Sequence, residues 1–272
     1  MKKVLALIMA LLLIVPAFSA FAADSVDVYV TISDGTGALA LAQEKITVTD
    51  TDEDGILTIR DALYLAHEAK FEGGAAAGFA SSETQYGISL DLLWGIDNGG
   101  SYSYYVNNAS PMSLSDPVSS GDYINAYAFT DLTAWSDVYT FFESNTVSAK
   151  AGAEIALTLF ALEYDANWNL LTVPVENAVI SVNGAATAVK TDAEGKAVIT
   201  IDGTGVYTIS AASEEKILVP PVCTATISAA DASVTAPDTG NDSNAALYAV
   251  IFTAALVGIA AMIAKHRKSY EK

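Results

Sequence analysis

The stretch PVENAVISVNGAATAVKTDAEGKAVITIDGTGVYTISAA, residues 174–212, decides how the carboxy-terminal half is read. Apolar residues alternate with small or polar ones over Ala178–Val182, Lys196–Ile201 and Val206–Ala211, the period-2 pattern of half-buried strands. Val182-Asn183-Gly184 and Asp192-Ala193-Glu194-Gly195 punctuate them with residues that tolerate the backbone of tight turns. Tyr139–Phe142, Ile155–Tyr164 and Cys223–Ser228 extend the pattern to both sides, and no helical periodicity interrupts it. Short strands recurring over ~100 residues indicate a β-sandwich. Residues 132–231 are therefore expected to form one all-β domain.

Residues 24–131 read differently. Val26–Ile32 alternates strictly, and Lys45–Thr49, Ile88–Ile96, Tyr102–Asn107 and Tyr123–Phe129 supply further strands. Gly99-Gly100 reads as a hairpin turn between two of these. Leu57–Phe71 places Ile59, Leu63 and the alanines at 62, 66 and 69 on a common side, which predicts an amphipathic helix. The segment EGGAAAGFASSE reads as a small-residue loop. Strands with one packed helix point to an α+β domain.

Between the second strand and that helix stands DTDEDGILTIRD, residues 50–61. Carboxylates occupy positions 1, 3, 5 and 12 and a glycine position 6, the spacing of a calcium loop. Asp50, Asp52 and Asp54 can converge on one ion, Ile56 can offer its carbonyl, Thr58 can contribute directly or through water, and the helix delivers Asp61. Calcium takes six to eight oxygens, and an uncompensated cluster of three carboxylates repels itself. The loop is read as a structural Ca²⁺ site; the competing reading is an acidic helix cap without an ion.

The ends concern location. Lys2-Lys3, the apolar run Val4–Val15, Pro16 and Ala20-Phe21-Ala22 have the order of a secretory signal peptide, so residues 1–22 are expected to be removed. Ala245–Ala264 carries no charge over a length that spans a bilayer as a transmembrane helix, and the basic tail 265–272 is expected to remain cytoplasmic. Residues 23–264 hold 31 acidic against 7 basic side chains, a net of −24. That charge excludes a nucleic-acid partner that would track phosphates. One cysteine and two histidines leave no disulfide framework and little for metal or triad chemistry. A surface hydrolase built on paired carboxylates stays open as a lesser alternative.

Several segments resemble known families. Ala236-Pro237-Asp238-Thr239-Gly240, in the linker 232–244, followed by an apolar run and a basic tail, is similar to the sorting signal of Gram-positive surface proteins, with Ala236 where that signal has Leu. The resemblance implies cleavage by a sortase between Thr239 and Gly240 and attachment to cell-wall peptidoglycan. Residues 174–212 resemble bacterial immunoglobulin-like surface domains, through Thr191-Asp192 with Gly195 and Gly205 with Tyr207. The acidic loop resembles half of a dockerin module; with one loop, docking to a cohesin is not implied. Residues 25–131 resemble transcobalamin C-terminal-like domains, through Asp61-Ala62-Leu63, the block Gly100–Asn107 and Gly121-Asp122-Tyr123-Ile124. That resemblance implies a β-grasp-like α+β fold. Trp94, Tyr102, Tyr104 and Tyr105 are the candidate ligand-stacking residues, with sheet and core packing as the other reading.

The expectation is thus a non-enzymatic, surface-anchored binding or adhesion protein. An α+β domain is presented to an unidentified extracellular ligand on an immunoglobulin-like stalk. Capture of cobalamin or another small molecule for uptake is the alternative.

Overall fold

A computed structural model describes residues 25–230. Sixteen strands and two helices make up its regular elements, and the described residues belong to one compact unit.

The first sheet has the order β2-β1-β6-β5, built from β1 (Val26–Ser33), β2 (Leu39–Val48), β5 (Tyr102–Val106) and β6 (Tyr123–Ala128). Strands β1 and β2 form an antiparallel hairpin, and β1 runs parallel to β6 with Tyr29 opposite Tyr123. The alternation of Val26–Ile32 puts Val28, Val30 and Ile32, all fully buried, on one face. Helix α1 (Ile59–Lys70) covers that face with Ile59, Ala62, Leu63 and Ala66. Thr58 caps α1: its hydroxyl accepts from the Asp61 N–H, while the Asp61 carboxylate accepts from the Thr58 N–H at 2.9 Å, a reciprocal capping box. A single helical turn, α2 (Ala75–Gly78), leads into a separate hairpin of β3 (Phe79–Thr84) and β4 (Gly87–Leu93).

The second half is two sheets around one core. One joins β10 (Leu170–Pro174), β9 (Glu154–Tyr164), β7 (Val138–Phe142) and β15 (Leu218–Val219), with β13 (Lys196–Thr200) also paired to β9. The other runs β12 (Ala185–Lys190), β11 (Val179–Val182), β14 (Gly205–Ala212), β16 (Cys223–Ser228) and β8 (Thr146–Lys150). Ile155, Leu157 and Leu159 from the first meet Ile180, Ile209 and Ala225 from the second. That is the layered core of a sandwich.

These elements correct the fold class expected from the sequence. The structure is strand-dominated and β-sandwich-like, with one helix of 12 residues and one of 4; it does not open with a separate β-grasp-like α+β domain. The helical periodicity after the acidic loop is real but short. Further segments are strands too: β3 arises from the small-residue run, β10 and β12 from mostly exposed residues, and β8 from a short alternation that turns Val147 and Ala149 to the core. Gly99-Gly100 does not join a hairpin, because β4 pairs with β3 and β5 with β6.

The expected transmembrane helix is not part of this fold. Among the described residues no helix is long and apolar enough to cross a membrane. The span 245–264 itself, like the leader 1–22, the linker 232–244 with its motif Ala236–Gly240, and the tail 265–272, lies outside the described residues.

Candidate functional site

The acidic loop leaves β2 at Val48 and enters α1 at Thr58, so both its ends are fixed by regular structure. Oxygens of Asp50, Asp52 and Asp54 lie within 4.8 Å of one another. Asp50 closes the turn, accepting from the Glu53 N–H at 2.7 Å and the Gly55 N–H at 2.8 Å. Gly55 at φ +86° supplies the left-handed residue this turn requires. Asp54 accepts from the Ile56 N–H at 2.8 Å. The Gly55 N–H above all holds the Asp50 carboxyl below its ordinary pKa. Burial, followed by the charges of Asp61 and Asp54, pushes Asp52 above its own.

Two of the six expected calcium ligands are engaged elsewhere. The buried Asp61 carboxylate accepts from the Thr51 N–H at 3.1 Å, the Thr51 hydroxyl, the Thr58 N–H and the Thr58 hydroxyl. Its oxygens serve the helix cap, and the Thr58 hydroxyl is spent on them. Ile56 is half exposed at the loop's rim. Sequence spacing missed the loop's own cation: the Arg60 Nη1 sits 2.9 Å from Asp52 and 3.9 Å from Asp61. Its position directly before Asp61 was the available signal. The donor set fits a hard, oxygen-seeking cation through Asp50, Asp52 and Asp54. It does not gather Asp61 with them.

The four aromatic candidates do not share a surface. Trp94 packs against His67 and Phe71, with ring centroids 5.1 and 5.2 Å away. Tyr102 and Tyr104 pack on the first core, and the Tyr102 hydroxyl donates to the Ile96 carbonyl at 2.6 Å. Tyr105 faces the other way and stacks on Tyr139 at 3.8 Å and 16°. The packing reading accounts for all four.

Chemically versatile side chains are likewise built in. His67 is fully buried; its Nδ1 meets the Leu63 carbonyl at 2.6 Å and its Nε2 accepts the Trp94 N–H at 2.9 Å. Burial lowers its pKa. Cys223 is buried in β16, and burial raises its thiol to about 11.

Tyr105 and Tyr139 belong to a third, smaller apolar cluster with Tyr127, Phe129, Phe141, Leu162 and Val219, where the first sheet meets the sandwich. The Tyr139 hydroxyl donates to Asn108 at 2.9 Å and accepts from Asn125 at 2.9 Å. Nearby, Gln43 donates to the Val222 carbonyl at 3.0 Å and accepts from the Thr224 hydroxyl at 2.6 Å. Beside this joint an open trough of about 790 Å³ lies between the β1–β2 hairpin and the outer face of β11, β12 and β14. Residues that line it are more than 130 positions apart in the chain, from Gly37 to Pro220, so no local pattern announces it.

No family model and no curated protein matches this chain. Among solved structures, the D0-D1 domain of intimin aligns with 14% identity and a TM-score of 0.23, covering 72% of this chain and 94% of that one. At that score the likeness carries no argument; the architecture rests on the strand pairing itself.

Proposed function

We propose that this chain is an exported, surface-displayed binding protein of the adhesion type that carries out no turnover. One observation carries this reading. The histidine and the cysteine of the described residues, the side chains most suited to act as base and nucleophile near neutral pH, are both committed to packing. Display is supported by the sequence: the leader 1–22 directs export, and a sortase joins Thr239 to cell-wall peptidoglycan. The net charge of −24 over residues 23–264 keeps the body soluble and discourages self-association.

The test is cell fractionation combined with protease treatment of intact cells. The protein is expected in the wall or membrane fraction, cleavable from outside and lacking residues 1–22. Recovery of the uncleaved chain in the cytosol would overturn the reading.

Calcium at Asp50, Asp52 and Asp54 is the second element of the proposal, favoured by the convergence of their oxygens. It would act as a structural ion, cancelling the mutual repulsion of the three carboxylates in this solvent-facing loop.

A further inference from the structure

The trough beside the joint has the parts of a peptide-binding edge. Its wall is the start of β2, where Leu39 and Ala42 line the opening. Strand β2 is the outer strand of its sheet, so one row of its backbone N–H and C=O groups is claimed by no neighbouring strand. The floor is the outward face of β11, β12 and β14, with Ser181, Ala186 and Ser210. Small side chains there leave room beside the edge for the side chains of an added strand.

Ser210 shows which way the floor faces. Its neighbours Ile209 and Ala211 point into the sandwich core, so its own side chain points at the trough. It is only 8% exposed and adds a small polar surface to the floor.

The trough is also held open. Gln43 forms a bulge in β2 at φ +46°, and its side chain ties the strand to Val222 and Thr224. The volume falls within the range of ligand clefts, about 300–1,000 Å³. No aromatic ring lines it, so a sugar or a corrin finds nothing to stack on. Its one charged lining residue is Glu214; where the opening continues toward Ile217 it is lined by Glu215 and by Lys216, whose ammonium is paired with Glu163 at 2.5 Å. Anionic ligands are thereby disfavoured.

We infer that the trough binds an extended peptide, neutral or basic, as an added strand on the free edge of β2. Main-chain hydrogen bonds supply the affinity, and side chains of one parity rest on the small-residue floor. The inference rests on the reading of this chain as a binding protein and names the class of its partner.

The probe is a phage-displayed library of random linear heptapeptides, selected on the purified full-length chain. Enriched sequences are then made synthetically and measured by fluorescence anisotropy. Ala186 is exposed, so Ala186→Trp fills the trough at little cost to folding; Thr200→Trp, on the exposed side of β13, is the control. Ala186→Trp is expected to weaken binding at least ~10-fold and Thr200→Trp to leave it unchanged. N-methylation of alternate peptide nitrogens should abolish binding in one parity and spare it in the other. Failure to enrich any peptide overturns the inference, and so does equal binding to both tryptophan variants or insensitivity to N-methylation. Fractionation decides surface display separately, so a displayed protein that enriches no peptide would overturn only the trough.

Discussion

At the residue scale, His67 is the clearest case of a functional-looking group put to structural use. Its unprotonated Nε2 accepts the N–H of Trp94, a residue held at φ +51° in the turn after β4. Protonation would set two donors against each other inside an aromatic surround of Phe71, Phe79 and Trp94. Burial lowers the folded-state pKa, so the unfolded chain binds the proton first as the pH falls. Stability from this group is therefore complete above the unfolded value of about 6.5 and declines as the pH drops below it. Melting temperatures between pH 7.5 and 5 should fall for the wild type. His67→Gln, although less stable throughout, should show a shallower decline in that window. Asp52 works in the opposite sense, its raised pKa acting at lower pH, which keeps the two effects separable.

At the element scale, one carboxylate has two competing descriptions. Calcium spacing assigns Asp61 to the ion, while the folded chain assigns it to the cap of α1. The two descriptions predict different variants. Thr58→Ala removes half of the capping box and should cost about 1 kcal/mol in urea denaturation, with or without calcium. Asp61→Ala leaves buried donors from Thr51 and Thr58 unpaired and should cost about 3 kcal/mol or more, again independently of the ion.

The calcium contribution should reside in the other three aspartates. Adding a chelator is expected to lower the wild-type melting temperature by several degrees. In Asp50→Asn or Asp54→Asn the chelator should have little further effect. An unchanged wild-type midpoint would count against an ion at this loop.

The same segment explains what could be read in advance. The acidic spacing and the Ile59–Leu63–Ala66 face were local patterns, and each corresponds to a feature of the structure. The reach of Arg60 to Asp52 and the capture of Asp61 by Thr51 and Thr58 were not legible. They depend on how the loop closes, not on which residues it contains. The strands β10 and β12 escaped for a related reason. Their side chains are mostly exposed, and pairing with neighbours makes them strands.

At the scale of the whole molecule, two apolar cores would be expected to unfold separately unless something couples them. The first is closed by α1 over β1, β2 and β6, and the second lies between the sandwich sheets. The third cluster joins them, with Tyr139 of β7 at its centre. Its ring lies on Tyr105 of β5 and its hydroxyl bridges Asn108 and Asn125. Burial and stacking of such a ring contribute about 3–5 kcal/mol by truncation, and the hydroxyl about 1–3 kcal/mol through the partners it satisfies. That sum rivals the stability of a small domain, so the wild type should unfold in one calorimetric transition. Tyr139→Phe keeps the stack but strands the two asparagines. It should lower the midpoint while preserving a single transition. Tyr139→Ala removes both terms and should resolve the endotherm into two. The trough wall on β2 and its floor on β11, β12 and β14 belong to different cores. Peptide affinity should therefore fall in Tyr139→Ala even though no residue of the trough has changed. A single transition retained in Tyr139→Ala would mean that the Gln43 contacts with Val222 and Thr224 suffice to hold the halves together.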